Sequence, residues 1–98
     1  MPSLPFLKQG TYTGTTAALT VQVGFRPDWI KAWNQTDGDT YWWWSSKMAA
    51  TTVMTIVAAT ASQASAIVLT DHGFTLPASD AVINENTKVY VYECGKDN

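Results

Sequence analysis

The chain has 98 residues, 46% of them hydrophobic and 14% charged, with a net charge of -2 and one cysteine, Cys94. That length builds one domain around one core. The charge balance excludes an electrostatic footprint for nucleic acid, and the cysteine count excludes an intrachain disulfide framework or a multi-cysteine zinc site.

From the N-terminus, "MPSLPFLKQG" carries prolines at 2 and 5 and has no long apolar run, so no signal peptide is read there. Residues 1–9 are expected to form an extended arm, with Leu4, Phe6 and Leu7 available to lie on a neighbour. Residues 10–98 are expected to form a single β-sandwich domain. "QGTYTGTT" reads as turn because of Gly10 and Gly14. "LTVQVGF" alternates, with Leu19, Val21, Val23 and Phe25 on one face, as a half-buried strand does. Pro27 ends it. "DWIKAWNQ" is the next strand, Asp37-Gly38 is a hairpin signal, and "TYWWWSSKM" is the return strand.

Three consecutive tryptophans put large rings on both faces of that strand. A two-residue loop at Asp37-Gly38 and a four-residue loop from Thr36 to Asp39 give the same facing partners. On one face Ile30, Ala32 and Asn34 oppose Ser45, Trp43 and Tyr41, and small Ala32 leaves room for Trp43 in a core. On the other face Trp29, Trp33, Trp42 and Trp44 gather around Lys31. A three-residue loop would shift the pairing by one and dissolve this grouping.

Met48 to Thr70 is uncharged, but its five Thr, two Ser and one Gln make it a poor membrane span. Strands are predicted near Thr51–Ala59 and Ala66–Thr70, joined by the loop "TASQAS". A helix is the runner-up for this stretch. "DHGF" is a turn, "TLPASDAVI" is extended and broken at Pro77, "NENTK" is a turn, and "VYVYEC" is a final strand. Six to eight short strands without a firm helix define an all-β chain, a small antiparallel β-sandwich.

Two segments carry a resemblance. "TVQVGFRPDWIKAWN" places Gly24, Phe25, Pro27, Ile30, Ala32 and Asn34 as they stand in small β-sandwich structural proteins of tailed bacteriophages. "HGFTLPASDAVINENTKVYVYECG" is similar to the C-terminal part of the same kind of domain. The resemblance covers about half the chain and implies a virion component, either a head decoration (cement) protein or a tail-fibre-type domain.

Catalytic residues are not expected. The one histidine, His72, sits in a turn, and no serine lies in a nucleophile elbow. Asp37 and Asp39 fall short of the six to eight ligands Ca²⁺ takes. Cys94 reads as a small hydrophobe on the last strand. No metal and no cofactor are expected.

The second aromatic face has three readings: more core, a protein interface, or a carbohydrate platform. Four open indoles would offer as much as about 600–1,000 Å², above the roughly 300–600 Å² of the largest patch on a typical monomer, so a protein interface is preferred. The interface residues expected are Trp29, Lys31, Trp33, Trp42 and Trp44, together with Leu4, Phe6 and Leu7 of the arm. The partners expected are the major capsid protein or other virion subunits, and the chain itself in a trimer or other small ring. Neither nucleic acid nor membrane is expected as a partner. The protein is expected on the capsid surface of a virion, after synthesis in the host cytoplasm, stabilising the shell. The alternative is a tail-fibre or spike domain binding a host glycan. A chain that starts at its own Met and ends after 98 residues favours a stand-alone decoration protein.

Overall fold

The computed structural model describes residues 7–48, 50–63 and 65–96. Among the described residues run nine strands: β1 (Leu7–Thr13), β2 (Leu19–Gln22), β3 (Trp29–Asn34), β4 (Thr40–Ser45), β5 (Met54–Val57), β6 (Thr60–Ser62), β7 (Val68–Thr70), β8 (Gly73–Leu76) and β9 (Val89–Gly95). They form two antiparallel sheets, of six strands in the order β1-β9-β3-β4-β5-β6 and of three in the order β2-β8-β7. The fold is therefore all-β, as the sequence predicts, with no helix among the described residues.

The two sheets meet through alternate residues. Ile30, Ala32, Trp42, Trp44, Tyr12, Tyr90, Tyr92 and Cys94 point inward from the large sheet, and Val21, Phe74 and Leu76 point inward from the small one. Phe74 joins them: its ring meets Trp42 edge-on at 6.0 Å and Tyr92 edge-on at 5.9 Å. Such edge contacts satisfy the ring quadrupoles that face-to-face stacking would oppose.

Register is where the structure departs most from the sequence reading. Ile30 faces Trp44, Lys31 faces Trp43, Ala32 faces Trp42 and Trp33 faces Tyr41. The pairing is one residue away from the predicted one, so the return strand turns over. Trp42 (0% exposed) and Trp44 lie in the core, while Trp43 looks outward. The cause is the turn. Residues 35–39 separate the two strands, an odd number, where the prediction took an even one. Asn34 shapes this loop. Its side-chain oxygen accepts from the Asp37 amide at 3.0 Å, and its carbonyl accepts from the Gly38 amide at 2.8 Å. Gly38 then takes a φ of 76°, which glycine adopts without strain. The small-against-large match survives, with Ala32 making room for Trp42 rather than Trp43.

Two strands went unpredicted and a third was read only in part: Gly73 and Phe74, expected in the turn "DHGF", are the first half of β8, while the stretch after Pro77, expected to be extended, turns at 78–79 and 81–83. β1 occupies the segment read as arm and turn, so Leu7, Lys8 and Gln9 belong to the sheet and not to an extended arm. β6 lies inside the predicted loop "TASQAS" and pairs with β5. Leu4 and Phe6 lie outside the described residues.

The long connection from β8 to β9 is pinned from below. The Trp42 indole N–H donates to the Tyr12 hydroxyl at 2.9 Å, which donates to the Ile83 carbonyl at 2.8 Å. Tyr90 stacks on Tyr12 with ring centroids 4.7 Å apart and donates to the Val82 carbonyl at 2.6 Å. Burial pushes the Tyr90 phenol up to about 12 and the Cys94 thiol up to about 11, and it raises Tyr12 well above its ordinary value. These groups stay protonated in the folded state at pH values where the unfolded chain has lost the protons. Stability is therefore fully present at neutral pH and falls from about pH 8.5, where an unfolded thiol titrates, towards the folded values. Denaturant melts across this range should show that fall, and Cys94→Ala should delay its onset towards about pH 10, where unfolded tyrosine titrates. An onset unmoved by the substitution would remove Cys94 from this account.

Candidate functional site

The outward face of the six-stranded sheet is the candidate site. Strand alternation and the pairing put its side chains in rows across the strands. One row runs Thr11, Val91, Trp33, Tyr41, Ile56 and Ala61. The next runs Gln9, Glu93, Lys31, Trp43 and Met54. Beside it lie Leu7, Gly95, Trp29 and Ser45.

Lys31 therefore stands between Trp29 and Trp33 along its strand and opposite Trp43 on the next. The sequence reading gathers indoles around Lys31, and the structure keeps that grouping with different members. Trp29, Lys31 and Trp33 are on this face as expected. Trp42 and Trp44 are not, because the one-residue shift turns them into the core. Trp43 and Tyr41, assigned by sequence to the core, replace them.

The polar centre of the face is fixed. Gln9 Nε2 donates to Glu93 Oε2 at 3.0 Å, and Lys31 Nζ lies 3.2 Å from Glu93 Oε1. The Gln9 hydrogen bond, with Lys31 second, holds the Glu93 carboxyl below its usual range. An exposed pair like this adds little stability, but it presents a neutralised, oriented patch rather than a bare charge. Trp29 is only part open, since its indole lies flat over Gly95, where a Cβ would come within 2.6 Å of it.

The open apolar surface comes from Leu7 (51% exposed), Trp33 (41%), Trp43 (38%) and Ile56 (37%). At ~40% of the roughly 150–250 Å² an aromatic side chain carries, the two indoles offer about 120–200 Å². With Tyr41, Met54 and Val91 part open, the patch reaches a few hundred Å², about the size of a typical monomer's largest. The burial of Trp42 and Trp44 removes the surplus that four open indoles would have made. Composition, not area, sets this face apart: indoles and a phenol side by side on one sheet face, the residue types enriched in interface hot spots.

The His72 backbone and the Asp37 and Asp39 carboxylates are used within the fold. The His72 carbonyl takes the Val23 and Gly24 amides. Asp37 is paired with Lys88 at 3.3 Å and accepts from Asn34, and Asp39 accepts from the Thr40 hydroxyl. Among the described residues no three His, Cys, Asp or Glu side chains converge on a metal position. A cleft of about 190 Å³ has among its lining Ser79, Asp80 and Asn84, whose side chains are already bonded within the chain. Asp80 takes the Ser65 hydroxyl and the Val82 and Ile83 amides, and Ser79 donates to the Thr16 carbonyl. Among the described residues no helix is long and apolar enough to cross a membrane. No family model, no curated protein and no solved structure matches the chain.

Proposed function

We propose that the chain is a non-enzymatic structural subunit of a tailed-phage particle, a capsid decoration protein bound to the outer surface of the shell. The observation that carries this reading is the outward Trp33/Tyr41/Trp43 face, whose indoles do no core work for the sandwich. The resemblance of its strand and turn residues to phage β-sandwich proteins supports the virion assignment. Docking buries the two indoles and Ile56 against the major capsid protein, while the Gln9–Glu93–Lys31 row beside them keeps its internal hydrogen bonds. Stabilisation of the shell follows from adhesion, since a ligand that bridges neighbouring subunits adds its binding free energy to their association.

Co-sedimentation with purified shells tests this. Central interface indoles typically cost ~2 kcal/mol or more on truncation, so Trp33→Ala combined with Trp43→Ala should weaken binding at least ~100-fold. Val68→Ala, on the three-stranded sheet and 64% exposed, should leave binding unchanged. If the double variant binds shells like wild type but no longer binds a polysaccharide that wild type retains, the face is a glycan platform and the docking assignment fails.

A further inference from the structure

We propose that the free edge of β1 is a self-complementary surface that pairs two copies of this chain into a closed dimer with one continuous sheet. The direction of the edge groups follows from the ladder. The Gly14 amide donates to the Lys88 carbonyl at 2.9 Å, and the pair 14/88 continues the register in which Tyr12 faces Tyr90 and Gly10 faces Tyr92. Hydrogen-bonded and non-hydrogen-bonded pairs alternate in antiparallel sheets. Tyr12, Gly10 and Lys8 therefore bond to β9, and Leu7, Gln9, Thr11 and Thr13 turn their N–H and C=O groups away from it. The other side of β9 agrees, with the Gln35 amide donating to the Val89 carbonyl at 2.8 Å.

Among the described residues nothing pairs with that edge. It has no proline and one charge, Lys8, where protective edges carry prolines, bulges or several charges. A two-fold axis at Gly10 engages all four outward residues: Leu7 with the second copy's Thr13, and Gln9 with its Thr11. Lys8 then meets Tyr12, so no like charges face each other. The opposite edge, β6, has three residues and offers a shorter ladder, so the closed pair is favoured over a head-to-tail ring.

In this arrangement Gln9 and Thr11 share the outward side. The axis stands perpendicular to the sheet, and the two aromatic faces look the same way. On the docking reading above, the dimer is bivalent for a flat partner, which raises avidity without new contacts. The dimer itself does not depend on that reading.

Sedimentation velocity of the full chain, across a concentration series reaching ~100 μM, a range suited to a micromolar association, tests the pairing without shells. Wild type should move from 10.7 kDa towards twice that mass. Thr11→Pro removes an N–H that points away from β9, so it should keep the fold by circular dichroism and stay monomeric. Leu7→Lys with Thr13→Lys opposes like charges and should also stay monomeric, whereas Leu7→Glu with Thr13→Lys should dimerise at least as tightly as wild type. A wild type that remains monomeric throughout overturns the proposal. So does a dimer that persists in folded Thr11→Pro, or equal masses for the two charge variants. Shell binding by a monomeric Thr11→Pro would leave the docking reading standing while the edge proposal is judged by mass alone.

Discussion

Trp42→Ala should lose ~3–5 kcal/mol of unfolding free energy, the cost of a large cavity in a packed core. Trp43→Ala, one residue along, should lose only about 1–2 kcal/mol, because a part-open ring gains less from burial. The contrast rests on register. Trp42 is 0% exposed, packs edge-on against Phe74 and donates its indole N–H to Tyr12. Removing it opens the contact between the sheets and leaves the Tyr12 hydroxyl without its donor, so loss of a hydrogen bond adds to the cavity. Trp43 stands over the sheet and touches solvent. Denaturant melts of the two variants, with equal m-values, measure the difference directly. If Trp43→Ala proves the more costly, the hairpin pairs in the register read from sequence and the aromatic face described here dissolves.

That register marks how far the sequence could be read. β2, β3, β4 and β9 were legible because their apolar residues alternate and their ends carry Pro27, Asp37-Gly38 and Gly95. The inward set Ile30, Ala32 and Asn34 was legible for the same reason. The partner of Ala32 was not, because alternation is equally satisfied by Trp42 and by Trp43, and the decision falls to the loop. Asn34 closes that loop from a fully buried position, through a local side-chain-to-backbone bond with Asp37 three residues on that no periodicity records. β1 was hidden by Gly10 within it and Gly14 just after it, although Thr11, Tyr12 and Thr13 are good strand residues and gave the available signal. β6 is short and small-residued and carries no apolar alternation at all. The site was therefore half legible. Trp29, Lys31 and Trp33 could be placed on one face, while Trp43, Tyr41, Gln9 and Glu93 reach it through pairings that only the fold sets.

Asn84→Leu should cost a further ~3–5 kcal/mol, at a position that composition gives no reason to single out. Its side chain is fully buried and has three partners. The Thr15 amide donates to its oxygen at 3.0 Å, and its nitrogen donates to the Ala17 carbonyl at 3.0 Å and the Pro77 carbonyl at 2.9 Å. The carboxamide thus ties three separate segments where the chain leaves β1, enters β2 and leaves β8. Leucine matches the volume but abandons three backbone groups away from water, and each costs about 1–3 kcal/mol. Asn84→Asp separates this from a packing effect. A carboxylate can still take the Thr15 amide, but it faces two carbonyl oxygens with no proton to give. Folding should then raise the pKa of this carboxyl above the ~3.9 of an unfolded aspartate. A raised folded pKa means stability that is present below the unfolded value and lost as pH climbs through the folded one. The aspartate variant should therefore be weak at pH 7 and regain stability relative to wild type as pH falls towards 4, when the protonated carboxyl can donate to one of the two carbonyls. If the gap between the aspartate variant and wild type does not narrow on acidification, the hydrogen bonds to Ala17 and Pro77 are not what Asn84 contributes.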